Sequence, residues 1–304
     1  MKRIIYKDID KLPVGRAATK LTRGCLVLEG GGWKGLYTLG VLDSMMENGI
    51  ELTSVVGVSA GALSAVGYVS GQIGWGARID LAYRHDTNYC GFGALRRSHG
   101  ITGFDYLYDD IFRAHPLDQR RLDASPQRLA VSATNMLTGR VEYFEKGSCD
   151  LLLAVRASAS VPYVSMPVMI NGVPYLDGGC AEKIPYRWAE QSREKKTVVV
   201  KTRELGYRRK TGTSPAASLM YRNYPEFVKA LASVNENFNS DAEELERRAR
   251  SGEIFLIAPS EEVQVTRFDG DMDKLGALYW LGYRDANALA PALREYLEMP
   301  RTCR

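Results

Sequence analysis

The sequence predicts an α/β protein built on a mostly parallel sheet with crossover helices. Three observations predict it. Short apolar runs alternate with helix-period patterns across residues 25–71. Glycines turn two of the strand-to-helix passages, EGGGWKG (29–35) and GVSAG (57–61), and TVVVKT (197–202) and EIFLIAP (253–259) read as two further buried strands. Strand, glycine loop, helix, strand, sharp turn, helix is the order in which a parallel sheet is wound.

Taken in order, CLVLE (25–29) is a short apolar strand that runs into Gly30-Gly31-Gly32. Leu36, Leu39, Val41, Leu42, Met45 and Met46 then recur at helical spacing, and Gly49 is a fitting stop. TSVVGV (53–58) is a second strand, and the small residues of ALSAVGYVSGQ (62–72) predict a tightly packed helix after Ser59. Residues 81–125 are less regular and are expected to form helices and loops over the sheet. RLAVSATNMLTGRVEYFE (128–145) holds two strands around a Leu-Thr-Gly turn, and DLLLAVRASASVP (150–162) a helix ending near Pro162. In VMINGVPYLDGG (168–179), Asn171-Gly172 is a two-residue hairpin signal that delivers Asp177 to the end of a strand. Residues 223–251 are helical in pattern, and a last helix is expected at 285–298. No linker forces a boundary, so residues 1–304 are expected to form one domain, with a motif-bearing core at 22–203 and residues 204–304 packing on or extending the same sheet.

The chain has 304 residues, 45% apolar and 25% charged, in the range of ordinary soluble globular proteins. Its 40 basic and 36 acidic side chains are interleaved to a net charge of +4, so no nucleic-acid partner is expected. MKRIIYKDIDKLPVG has no apolar stretch of the length a secretory signal needs, and no run approaches a membrane span. The five cysteines (Cys25, Cys90, Cys149, Cys180, Cys303) are odd in number and lack C-x-x-C pairing. No disulfide framework or zinc site is expected, and the expected location is the cytoplasm.

Ser59 sits in a G-x-S-x-G turn, where Gly57 and Gly61 are small enough for the backbone to reverse sharply between strand and helix. The following helix directs its first N–H groups and its positive dipole end toward any developing anion. The glycine loop before the first helix suits a phosphate or an oxyanion, but it matches neither the P-loop spacing nor a dinucleotide fingerprint. An acyl-transfer site would take its oxyanion donors from Gly30, Gly31, Gly32 and Ala60. The base is harder to find. The three histidines, His85, His99 and His115, all precede Asp177, so a Ser…Asp…His triad in hydrolase order is excluded. The remaining candidate is Asp177, followed by Gly178-Gly179, acting directly on Ser59.

The motifs G-G-G-x-[RK]-G, G-x-S-x-G and D-G-[GA], here Gly30–Gly35, Gly57–Gly61 and Asp177–Gly179, resemble those of the patatin-like acyl hydrolases. ASASVPYVSMPV (157–168) resembles the segment these proteins carry before the aspartate, and ELGYRRK, IFLIAP and LGALYWLGYRDA are similar to a bacterial subgroup with a longer C-terminal part. The resemblance implies a three-layer α/β/α fold and a Ser59–Asp177 dyad. Lys34, Gly35, Gly57, Gly61, Gly178 and Gly179 would support it, with no metal and no diffusible cofactor. It implies cleavage of lipid acyl esters, phospholipase A or lysophospholipase in type, through an acyl-serine. Acyl transfer, or lipid binding without catalysis, are the alternatives on the same fold. Lys34 replaces the usual arginine and Glu29 the usual aspartate; neither touches the dyad.

Trp33, Tyr37, Tyr163, Tyr175 and Met166 lie near these motifs in sequence, as core residues or as the lining of an acyl groove. Lys201, Arg203, Arg208, Arg209, Lys210 and Arg222 face one acid, Glu204, in their segment, which reads as a solvated loop or as a peripheral contact with anionic headgroups.

Overall fold

A computed structural model of the chain describes residues 4–212, 215–266 and 269–298; Cys303 lies outside them. The main sheet holds β1 (Thr22–Leu28), β2 (Leu52–Val58), β3 (Arg128–Asn135), β4 (Val141–Glu145), β5 (Val168–Ile170), β6 (Val173–Asp177), β7 (Thr197–Val200) and β8 (Phe255–Ile257), and a separate two-stranded sheet pairs Gly15–Arg16 with Gln72–Ile73. The longer helices are α1 (Gly35–Glu47), α2 (Ala60–Val69), α3 (Trp75–Tyr83), α4 (Leu151–Ser158), α5 (Pro225–Arg250) and α6 (Met272–Tyr296). Neighbours β8-β7-β1-β2-β3 pair in parallel, while β3-β4, β3-β6 and β6-β5 pair antiparallel.

Alternation along the parallel strands sets the layers. Leu26, Leu28, Val55, Val198 and Val200 pack with α1, α2 and α6 on one face. Cys25, Val27, Val56 and Val199 pack with Phe238, Ala242 and Leu245 of α5 on the other.

The register of β3 brings two distant loops together. β4 takes residues 130–134 of β3 along one edge. β2 pairs with 128–132 and β6 with 133–135, so both must lie along the opposite edge. Because β2 is parallel to β3 and β6 antiparallel, their C-terminal ends meet head on, Val58 opposite Ser132 and Asp177 opposite Ala133. The residue after β2 is Ser59 and the last residue of β6 is Asp177. The hairpin at 168–177 turns as the sequence predicts, with positive φ at Asn171 (50°) and Gly172 (80°).

Two expectations change. The last helix begins at Met272, well before residue 285, with Asp271 accepting from the amides of Asp273 and Lys274 at 3.0 and 3.1 Å. Gly276 and Gly282 weaken the helical pattern in sequence, but Gly282 has a packing reason. A Cβ there would lie 2.1 Å from the Tyr37 carbonyl oxygen, and one at Gly40 2.1 Å from that of Tyr279, so α1 and α6 cross backbone to backbone. Asp43 and Tyr279 bond across this crossing at 2.8 Å. The basic segment after β7 is also not simply solvated. Lys201 is fully buried and donates to Glu246 of α5 at 2.9 Å, Arg208 reaches the same carboxylate at 3.0 Å, and Arg203 and Arg209 lie over the Tyr207 ring. Lys201, Arg208 and Arg209 hold the segment to α5, and Arg203 holds it to the Val263 carbonyl.

Candidate active site

Ser59 and Asp177 stand where β2 and β6 meet. Ser59 Oγ donates to Asp177 Oδ2 at 2.7 Å, and each residue is 8% exposed. Ser59 has φ 56° and ψ −121°, a backbone state that costs a non-glycine residue about 1–3 kcal/mol. The surroundings impose it. A Cβ at Gly57 would lie 2.4 Å from the Gly61 carbonyl oxygen, and one at Gly61 2.5 Å from that of Leu28. The Ser59 amide, turned away from the helix, donates to Ser158 Oγ at 2.9 Å.

The aspartate is held as tightly. Its Oδ1 accepts from the Gly179 amide at 2.7 Å, its amide donates to the Ser160 carbonyl at 2.8 Å, and Thr134 Oγ1 donates to its carbonyl at 2.9 Å. A Cβ at Gly178 would lie 2.4 Å from the Ser132 carbonyl oxygen and 2.7 Å from Val58, so only glycine lets the two strand ends close.

The glycine loop faces the serine. A Cβ at Gly30 would lie 3.2 Å from that of Ser59, and one at Gly35 would lie 2.8 Å from that of Ala60. The loop is anchored from below by buried Glu29, which accepts from the Thr202 amide at 2.7 Å and whose carboxyl is raised by burial. Of the four expected oxyanion donors, Gly30 is already engaged, since its amide donates to the Lys183 carbonyl at 3.1 Å. The amides of Gly31, Gly32 and Ala60 meet no acceptor among the described residues. Lys34 is buried at the turn into α1.

Beside the serine opens an apolar groove of about 130 Å³, lined by Trp33, Leu63, Trp75, Leu107, Phe112 and Val155 among others. One wall is a π-helical turn at Leu107–Ile111, a distortion common at functional sites. Of the five aromatic and methionine candidates, only Trp33 lines this groove. Tyr37 and Tyr175 are buried, bonded to Asp285 and Glu142, while Tyr163 and Met166 are 40% and 65% exposed. Of the histidines, His85 meets the Gly270 carbonyl and His115 packs on Tyr83. Ser158, Ser160, Thr134 and Thr202 brace the site but carry no signal of their own in the sequence, because each acts across the fold. Ser158 and Ser160 lie in the ASAS run (157–160).

Residues 26–189 match the family model described as patatin-like phospholipase, and residues 224–298 match a domain of unknown function. The chain is 30% identical over 189 residues to the uncharacterized protein YjjU of Escherichia coli, covering 59% of this chain and 52% of that one. It is 26% identical over 166 residues to an uncharacterized NTE family protein of Mycobacterium bovis, covering 54% and 44%. The chain thus spans about half the length of the curated relatives it matches. Among solved structures, VipD from Legionella pneumophila superposes with a TM-score of 0.52 at 15% identity, over 92% of this chain and 70% of that one, a likeness of fold. With the family model covering more than half of its length, the chain belongs to the patatin-like phospholipase family.

Proposed function

We propose that the protein is a serine acyl-ester hydrolase acting on lipids, phospholipase A or lysophospholipase in type, with Ser59 as nucleophile and Asp177 as its base. The observation that carries the reading is the 2.7 Å bond from Ser59 Oγ to Asp177 Oδ2 at the mouth of an apolar groove. Asp177 takes the hydroxyl proton as Oγ bonds to the ester carbonyl carbon. The resulting oxyanion accepts from the amides of Gly31, Gly32 and Ala60, each such donor being worth about 10²–10³ in turnover. Collapse breaks the carbon–oxygen bond, the protonated aspartate returns its proton to the leaving alcohol, and an acyl-serine remains. Water, activated by the same carboxylate, then releases the fatty acid and restores Ser59.

Contact with a lipid surface belongs to the same proposal, but the basic segment after β7 is a poor place for it. Phe92 (78% exposed), Leu95 (44%), Met166 (65%) and Met169 (55%) offer apolar side chains instead, joined by the bond from the Met166 amide to the His99 carbonyl. No helix among the described residues is long and apolar enough to cross a membrane.

Release of fatty acid from lysophosphatidylcholine and from diacyl phospholipid vesicles tests the reading. The wild type is expected to turn over at least one of them, and Ser59→Ala to lose at least 10³-fold while keeping its thermal transition. Equal activity in the two proteins would refute it.

A further inference from the structure

Asp80 is the one charged residue lining the largely apolar groove beside Ser59. It lies in α3 and lines the groove together with Tyr89, Cys90 and Thr102. Asp80 Oδ1 accepts from the Tyr89 hydroxyl at 2.6 Å, and its other oxygen meets no donor among the described residues. Arg78, two residues before it, donates to the Ile9 and Leu12 carbonyls, and Arg84, one turn after it, lies over the Trp33 ring at 4.8 Å and donates through Nε to the Asp269 carbonyl. Burial pushes the Asp80 carboxyl up to about 6, against the lowering effect of Tyr89 and Arg84. A plain alkyl chain lying here would strip water from an acceptor without replacing it, which costs free energy rather than adding affinity. A chain that carries its own hydroxyl would replace that water.

From this we infer that Asp80 is a specificity-determining residue that selects acyl chains bearing a hydroxyl group, the substrate O–H donating to the carboxylate oxygen that Tyr89 leaves open. The inference rests on the proposal that this groove receives the acyl chain. Tyr89 holds the carboxyl in place, and Trp33 and Trp75 in the same walls give binding a fluorescence signal of its own.

The test is a binding measurement that needs no turnover. The Ser59→Ala protein is titrated with stearic acid and with hydroxystearic acids whose hydroxyl is moved along the chain, following tryptophan fluorescence. At one hydroxyl position binding should be about tenfold tighter than for stearic acid, the range expected for a hydrogen bond to a charged acceptor. Asp80→Leu on the same background should remove the preference and bind stearic acid at least as well, while Asp80→Asn, which keeps an acceptor, should retain part of it. Equal affinities for every hydroxyl position and for stearic acid would overturn the inference without need of any variant. A preference that survives Asp80→Leu would overturn it too. If fatty acids bind with the predicted preference but the wild type cleaves no lipid ester, the proposed activity falls and this inference stands.

Discussion

The meeting point of β2 and β6 and the groove beside it are built by different means. At the meeting point the backbone decides. Gly57, Gly61 and Gly178 each sit where a Cβ would lie within 2.5 Å of a carbonyl oxygen, and the register of β3 dictates which residues come face to face. In the groove side chains decide, contributed by α2, α3, α4 and the turns between 89 and 112, over a contour that many apolar residues could fill. The proposed chemistry rests on positions where only glycine fits, and the proposed acyl selectivity on groove positions where several residue types would.

Changes at the meeting point should therefore be all-or-none. Gly61→Ala, with its Cβ 2.5 Å from the Leu28 oxygen and 2.9 Å from the Glu29 oxygen, should abolish labelling of Ser59 by an active-site probe. Labelling at the wild-type rate would show that the elbow does not need its glycine. A large effect on folding rather than chemistry is expected one layer away. Glu246→Ala leaves the fully buried Lys201 without its carboxylate and should cost about 3–5 kcal/mol in denaturant unfolding. A loss under about 1 kcal/mol would mean that Lys201 finds another partner or reaches water.

Smaller effects sharpen the contrast. Leu63→Trp, which fills part of the groove, should lower turnover of long-chain esters at least tenfold while leaving the reaction with a short-chain ester within about twofold. An equal loss on both would place the groove's influence on the dyad itself. The smallest expected effect lies in pH. Burial pushes Asp43 up to about 7, against the bonds it accepts from Gly74 and Tyr279. A carboxyl raised in the folded state contributes stability that is whole below its unfolded value near 3.8 and is lost as pH rises through about 7. Asp43→Asn should therefore flatten the decline of the thermal midpoint between pH 4 and 7. An unchanged slope would assign that decline to other groups, such as Glu51, which burial raises to about 7 as well.

The same contrast explains what the sequence could tell. The strands, the two helices after glycine turns and the Asn171-Gly172 hairpin are legible because local sterics and periodicity set them. The Ser59–Asp177 pairing is also legible, since removing the histidines left one acid next to two glycines. The first half of α6 is not: Gly276 and Gly282 read as weak helix, and the demand for a glycine at 282 comes from Tyr37 on another helix. The engagement of the Gly30 amide by the Lys183 carbonyl, the bond from Ser158 to the elbow and the capture of Lys201 by Glu246 join residues far apart in sequence. No local pattern encodes such pairs.

The most direct test of the proposed dyad is intact-mass analysis after incubation with a fluorophosphonate, on the wild type, Ser59→Ala and Asp177→Asn. A single adduct on the wild type, mapped to Ser59 and absent from both variants, is the predicted result. An adduct that persists in Asp177→Asn at the wild-type rate, or none on a folded wild type, would contradict the assignment of Asp177 as the base that activates Ser59.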